Sequence, residues 1–290
     1  MKAKAFEIIT DNIIKKLDEG VIPWRKPWKN GGAPRNLVTG KPYRGLNVFL
    51  TTMQGYHSPY WLTFKQAGER GGQIRKGEKG TPVIFWNWTQ RQVEGENGST
   101  EEKEIPFMRY YTVFNLQQVD GLQLSHEEAN AFVTIASCEE VIKNMPQAPA
   151  MEHGFSKACY VPSLDVVKMP PRSAFKSEAG YFSTLFHELS HSTGHISRLD
   201  RKGITEKNAF GSEEYSKEEL VAELGAAFLC GHTGIEQETI ENSAAYIAGW
   251  RERLSTDKRL IISAAAQAQR AADFILGRAA EQIETEKEAA

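Results

Sequence analysis

The sequence predicts an α+β protein in two parts: an N-terminal α+β half with a small antiparallel sheet, and a C-terminal half that is mostly helical. Three observations carry this expectation. Two β-rich runs, Thr81-Pro82-Val83-Ile84-Phe85-Trp86-Asn87-Trp88 and Phe107-Met108-Arg109-Tyr110-Tyr111-Thr112-Val113-Phe114, flank a polar stretch at 94–102, as the strands and tip of a long hairpin would. From residue 177 onward the apolar residues recur at helical spacing. Charge divides the chain in the same sense. Residues 1–92 hold 16 Lys+Arg against 6 Asp+Glu, a balance of +10, and residues 93–290 hold the remaining 19 and 31, a balance of −12.

Each element has a local reason. Phe6, Ile9, Ile13 and Leu17 fall on one helical face, and Gly20 sits where a C-terminal cap is expected. Pro23-Trp24-Arg25-Lys26-Pro27-Trp28 cannot continue that helix, because proline has no amide to donate. Gly31-Gly32-Ala33-Pro34 and Thr39-Gly40-Lys41-Pro42 read as loops, followed by short helices at 46–53 and 63–70. A helical pattern at 127–144 leads into the proline-containing stretch 145–149. Strands are expected at 158–161 and 165–169, then helices at 177–195, 216–231, 238–254 and 258–286. The domain assignment that follows is 1–125, a connecting segment 126–150, and 151–290.

The whole chain has 290 residues, 35 Lys+Arg against 37 Asp+Glu, and 40% hydrophobic residues. Those are globular values and exclude a wholly disordered chain. No apolar run approaches the ~20 residues of a membrane helix, so no membrane partner is expected. The start turns polar too soon for a signal peptide, and Cys138, Cys159 and Cys230 form no Cys-x-x-Cys pair. A cytoplasmic protein with buried, inert thiols is the expectation.

The sharpest motif is His187-Glu188-Leu189-Ser190-His191. Residues four apart share a helix face, so His187 and His191 can meet one divalent cation, with zinc expected. Glu188 lies beside them as the catalytic base for a water whose pKa a zinc ion brings to about 7. A third ligand is needed. His195 continues the spacing, but the face drifts and Gly194 breaks the helix, and Ser197 stands where a metzincin would have its third histidine. Glu219 and Glu223, four apart on the next helix, match zincins with a glutamate ligand, in which the later acid orients a histidine from behind. Glu219 is the preferred ligand, with Glu223 and His195 as alternatives. Ser216-x-x-Glu219 is also a capping box, which would make Glu219 structural. Tyr181 and Tyr215 are possible oxyanion donors, although core or surface tyrosines are the plainer reading. The 165–169 strand is a possible edge for docking a peptide.

The basic half interleaves cations with aromatics. Arg25, Lys26, Arg35, Arg44, Lys65, Arg75, Lys76 and Lys79 can neutralise phosphates, and Trp24, Trp28 and Trp61 can stack on unpaired bases. That combination suits single-stranded DNA better than a duplex, whose bases are already stacked. The loop 71–80 lacks the Gly-Lys-Ser/Thr ending of a Walker loop. No carboxylate cluster of the kind two-metal nucleases use stands out.

These motifs together resemble a known family. Trp24-Arg25-Lys26-Pro27-Trp28, Thr39-Gly40-Lys41-Pro42-Tyr43-Arg44-Gly45, Tyr60-Trp61-Leu62-Thr63-Phe64-Lys65-Gln66, Arg75-Lys76-Gly77-Glu78-Lys79-Gly80, the His187–His195 stretch, Ser197-Arg198-Leu199-Asp200-Arg201 and Glu218-Glu219-Leu220-Val221-Ala222-Glu223 are similar to the ArdC antirestriction proteins and to the N-terminal region of conjugative TraC primases. The resemblance implies an N-terminal domain that binds single-stranded DNA and a C-terminal zincin-like metallopeptidase domain, similar also to Spartan-type proteases. It also implies protection of incoming conjugative plasmid DNA from host restriction; a protein substrate or a host restriction factor is a possible further partner. The competing expectation is a non-enzymatic protein that coats or occludes DNA, with the zincin domain as a structural or interaction module.

Overall fold

The computed structural model describes residues 2–25, 32–94, 100–122, 135–206, 212–235, 237 and 244–278. Lys26, Trp28, the hairpin tip at 95–99, the first part of the 127–144 pattern and the chain beyond 278 lie outside the described residues. The elements are α1 (Lys2–Asp18), β1 (Arg35–Asn36), α2 (Leu46–Thr52), β2 (Tyr60–Thr63), α3 (Phe64–Glu69), β3 (Gln73–Ile74), β4 (Thr81–Glu94), β5 (Thr100–Asn115), β6 (Val119–Asp120), α4 (Ile135–Lys143), β7 (Ala150–His153), β8 (Cys159–Val161), β9 (Val166–Met169), α5 (Glu178–Ser192), α6 (Lys202–Thr205), α7 (Glu213–Thr233), α8 (Ala244–Thr256) and α9 (Leu260–Ile275). The fold is α+β, as expected.

The main N-terminal sheet runs β1-β2-β5-β4. Its hairpin is antiparallel from Thr81↔Val113 out to Glu94↔Thr100, so strand pairing continues through much of the expected polar tip. The ladder uses backbone groups, which a polar sequence supplies as well as an apolar one. β1 pairs parallel to β2, a departure from the purely antiparallel expectation. α3 begins with a capping box in which the Thr63 side chain accepts from Gln66 N and the Gln66 side chain accepts from Thr63 N.

In the C-terminal half a three-stranded sheet has the order β7-β9-β8. The 165–169 strand, expected at an edge, is therefore central: β9 pairs parallel with β7 and antiparallel with β8. β7 carries no strand signal in the sequence, because its residues are all exposed and show no alternation. Helix α7 is apolar around most of its circumference and is buried on several sides by α5 and α9. Gly225 permits the α5–α7 approach; a Cβ there would stand 2.6 Å from Ser190 Oγ.

One hydrophobic core crosses the two halves. It joins Ile9, Ile13, Trp24, Phe49, Leu50 and Ile84 to Phe186, Phe228, Trp250 and Ile261. Helix α2 is the wedge between them. Asn47 donates to Ile84 O (2.7 Å) and accepts from Ile84 N (2.8 Å), fastening α2 to β4. On the C-terminal side Phe49 stacks on Phe228 with ring centroids 4.9 Å apart. No helix among the described residues is long and apolar enough to cross a membrane.

Candidate metal centre

Helix α5 places the two histidines. Ser177 caps it by accepting from Gly180 N, and the buried Phe182, Leu185, Phe186 and Leu189 hold its apolar face. The helix ends at Ser192, so His195 falls beyond it and bonds to Ser197 Oγ through Nδ1 at 2.8 Å. His195 is not among the side chains whose ligand atoms converge with those of His187 and His191 among the described residues. His187 Nε2 and His191 Nε2 lie 3.2 Å apart.

Helix α7 brings the third group. Glu219 Oε2 stands 3.7 Å from His187 Nε2, and its Oε1 stands 3.6 Å from His191 Nε2. His187, His191 and Glu219 form the metal-capable group found among the described residues, with ligand atoms all within 4.8 Å of one another. A tetrahedral ion with ligands at ~2.05 Å would hold them about 3.3 Å apart, so the donor set and its spacing fit a divalent cation. The capping-box alternative for Glu219 does not hold. α7 starts a turn earlier than the sequence suggests, with Ser212 as its cap, which leaves Ser216 and Glu219 inside the helix.

The group behind His191 is Glu218, not Glu223. Glu218 Oε1 is 3.3 Å from His191 Nδ1, which fixes that nitrogen as the donor and turns the Nε2 lone pair toward the ligand triangle. Arg201 grips the carboxylate from the far side, Nε to Oε2 at 2.9 Å and Nη2 to Oε1 at 2.6 Å, and also donates to Thr193 Oγ1 and Ser190 O. All three of Arg201, Glu218 and His191 are buried. Gly203 must be small here, since a Cβ would fall 2.8 Å from Glu218 Cβ. Glu223 turns instead toward the N-terminal half. It accepts from Trp24 Nε1 at 3.0 Å and from the Tyr246 hydroxyl.

Glu188 is buried and its Oε2 accepts from Tyr160 N of β8 at 2.8 Å. Sequence reasoning missed Tyr160, because it acts through a backbone amide that carries no residue signature. Arg198 holds Tyr160 and Asp165 together by donating to the Tyr160 hydroxyl and to both Asp165 oxygens, and so anchors β8 beside Glu188. Tyr215 lies against Glu219; burial, then the charge of Glu219 and a hydrogen bond to it, push its hydroxyl up to about 12. Tyr181 points elsewhere, with its hydroxyl 2.9 Å from His153 Nε2.

The electrostatics suit a cation. Burial, then the charge of His191, lower His187 to about 3, so it is a neutral donor. Burial also pulls His191 down, but Glu218, Glu219 and Glu188 outweigh it and raise its pKa. Burial raises Glu188 above the usual carboxylate range.

The basic half is arranged differently from the expectation. Trp24 and Trp61 are fully or almost fully buried, at 0% and 2% exposure, so neither ring offers a face for stacking. Trp24 packs edge-on to Trp250, and Trp61 packs with Tyr43, Val83 and Val113. Hydrophobic burial has taken the aromatic surface that composition alone suggested was open. Arg25, Lys65, Arg75, Lys76 and Lys79 are exposed and Arg35 is half-buried. Arg44 is committed to Asp273 on α9, and Arg75 to Glu78 and Asp120.

A family model described as the N-terminal domain of anti-restriction factor ArdC matches residues 3–114, and a zincin-like metallopeptidase model matches residues 136–267. The crystal structure of the antirestriction ArdC protein from plasmid R388, metal-free, superposes with a TM-score of 0.73 at 38% identity, covering 93% of this chain and 96% of that one. This chain belongs to the ArdC antirestriction family. The Mn(II)-bound structure of the same R388 ArdC protein matches with a TM-score of 0.74 at 37% identity over 95% of this chain and 98% of that one. An ArdC fold that has been seen with a divalent ion agrees with the donor triangle described above. DNA primase TraC of Escherichia coli is 35% identical over 98% of this chain, which spans only 28% of the length of that primase. An uncharacterised protein, y4eC of Sinorhizobium fredii (strain NBRC 101917 / NGR234), is 33% identical over 93% of this chain and 91% of its own length.

Within this ArdC chain the Trp24–Glu223 contact makes a pH prediction. Burial raises Glu223 to about 7 from an ordinary 4.5. The folded state therefore holds a proton that the unfolded state releases between those values. Stability is fully present below about 4.5 and falls by about 1.4 kcal/mol per pH unit until the folded group ionises near 7, roughly 3 kcal/mol in all. Glu223→Gln should remove this fall, so that its melting temperature relative to wild type rises from pH 5 to pH 8. A constant difference across that range would refute the assignment.

Proposed function

We propose that this chain is an antirestriction protein that binds single-stranded DNA through its N-terminal half and hydrolyses peptide bonds in a protein substrate, or in a host restriction factor, at a zinc site in its C-terminal half. The observation that carries the reading is the triangle of His187, His191 and Glu219 with Glu188 beside it. His187, His191 and Glu219 would hold the ion, which supplies Lewis acidity to a substrate carbonyl and makes a neighbouring water more acidic. Glu188, positioned by Tyr160 N, takes the proton from the attacking water and passes it to the leaving amine. Its raised pKa brings it closer to the working pH, which favours both transfers. Tyr215, beside Glu219, stays protonated at neutral pH and can donate to the developing oxyanion.

The N-terminal half supports DNA binding by charge. Arg25, Lys26, Arg35, Lys65, Lys76 and Lys79 belong to the segment with a +10 balance. Binding should weaken as salt rises, with a slope of about 0.7 per phosphate neutralised on a single strand. Fluorescence anisotropy with a labelled single strand and its duplex checks both points, and equal affinity for the two would refute the preference for unpaired bases.

The test of the whole is an antirestriction assay of Glu188→Gln beside wild type, with metal content and DNA binding measured on both. Loss of protection with both properties intact is the expected result. Full protection by the variant would move the function to DNA coating or occlusion, with the C-terminal half as an interaction module.

A further inference from the structure

Phe64 is the most exposed aromatic ring among the described residues, at 69%, yet its backbone is firmly held. It is the first residue of α3, directly after the Thr63–Gln66 capping box, and Thr63 is itself paired with Val113 in the sheet. A phenylalanine left in water forgoes the burial that stabilises core rings, so its place on a rigid support asks for a ligand. The Phe64 ring and the Phe114 ring of β5 meet in a T-shaped arrangement, with centroids 6.5 Å apart and planes at 64°.

The surroundings extend this into a ridge. Phe114, Thr112 and Tyr110 share one face of β5 because side chains alternate along a strand. Tyr110 is 46% exposed and lies about 13 Å along the strand from Phe114. The backbone at Gly80 is pressed onto the same face; a Cβ there would stand 2.2 Å from Thr112 Cγ2 and 3.0 Å from the Phe114 ring. That contact brings the basic loop before Gly80 against the ridge. Residues 64–79 carry five cations, Lys65, Arg70, Arg75, Lys76 and Lys79, against Glu69 and Glu78. Both acids are already paired, Glu69 with Lys65 and Glu78 with Arg75 and Gln118.

We propose that Phe64 and Tyr110 are the base-stacking platforms of this protein for single-stranded nucleic acid, and that Lys76 and Lys79 of the loop before Gly80 neutralise the phosphates beside them. The proposal rests on the single-stranded DNA reading above and replaces the stacking role expected for Trp24 and Trp61, whose rings are buried. An exposed ring has a face for a base already unstacked, and a cationic surround attracts the backbone that carries it.

Full-length protein is titrated against fluorescein-labelled oligothymidylate and against a duplex, at several salt concentrations. Phe64→Ala should raise Kd for the single strand about 5- to 150-fold and leave duplex binding and the salt slope unchanged. Phe64→Trp should bind at least as tightly as wild type, and Lys79→Ala should lower the salt slope by about 0.7. Phe64 is exposed, so the alanine variant is expected to fold, and its melting temperature is checked. Wild-type single-strand affinity in Phe64→Ala overturns the platform while leaving the DNA reading intact. An equal loss on duplex and single strand overturns stacking. Unchanged DNA binding with lost antirestriction would give the ridge to a protein partner, also against the proposal. No salt-dependent binding by wild type would remove both the DNA reading and the platform.

Discussion

Glu188→Gln should retain metal and lose the proposed peptide hydrolysis by about 10²- to 10⁴-fold, the usual contribution of a positioned general base. Glutamine has nearly the same shape and keeps an oxygen to accept from Tyr160 N, so β8 and α5 should stay in place. What it cannot do is take a proton. Glu188 is not part of the ligand triangle, so metal content measured by mass spectrometry should match wild type. Casein, with and without single-stranded DNA, is a suitable first substrate. Cleavage by the variant at the wild-type rate would sink the proposed role.

Arg201→Met should be the most damaging single change to stability near the site, at about 3–5 kcal/mol. It leaves the buried Glu218 carboxylate without the guanidinium that grips both of its oxygens. Burial pushes the Glu218 pKa up, but the hydrogen bonds and charges of Arg201 and His191 prevail and hold it below the usual carboxylate range. The pair therefore stabilises above the ordinary carboxylate pKa, and this contribution fades as pH falls through the lowered value. The deficit of the variant, measured by urea unfolding, should shrink in acid. Metal affinity should also fall about 10- to 100-fold, because Glu218 orients His191. Arg201→Met with Glu218→Leu should recover part of the stability but not the metal affinity. A deficit under 1 kcal/mol for the single variant would refute the buried-pair argument.

These two residues show what could and could not be read in advance. Glu188 was legible, because His-Glu-x-x-His is a local pattern and a helix fixes the relation of its members. Arg201 was visible only as part of a motif, with no role. Helical phase relative to Glu219 favours Glu223 over Glu218, the actual partner of Arg201. The crossing of α5 and α7 decided otherwise. It turned Glu218 to His191 and Glu223 to Trp24, 199 residues away in sequence. Trp24 and Trp61 depart from the stacking expectation for a related reason. Composition reports that aromatic and cationic residues are neighbours in sequence, but not which of the aromatics the core will claim. Phe64, three residues after Trp61 in the Tyr60–Gln66 motif, remains exposed.

The sequence by itself determined the α+β class, the charge asymmetry of the halves, the helix carrying the two histidines and Glu188, and a short set of candidates for the third member of the group. Each follows from interactions within one turn of helix or a few residues of strand, where spacing dictates geometry. The tertiary structure decided that Glu219 joins His187 and His191 in a metal-capable triangle, that Arg201 and Glu218 stand behind His191, that β9 is central and β8 borders the site, and that one core runs through both halves. Those outcomes depend on how helices cross and which surfaces bury one another. Close packing settles such long-range choices among alternatives that local rules leave equal.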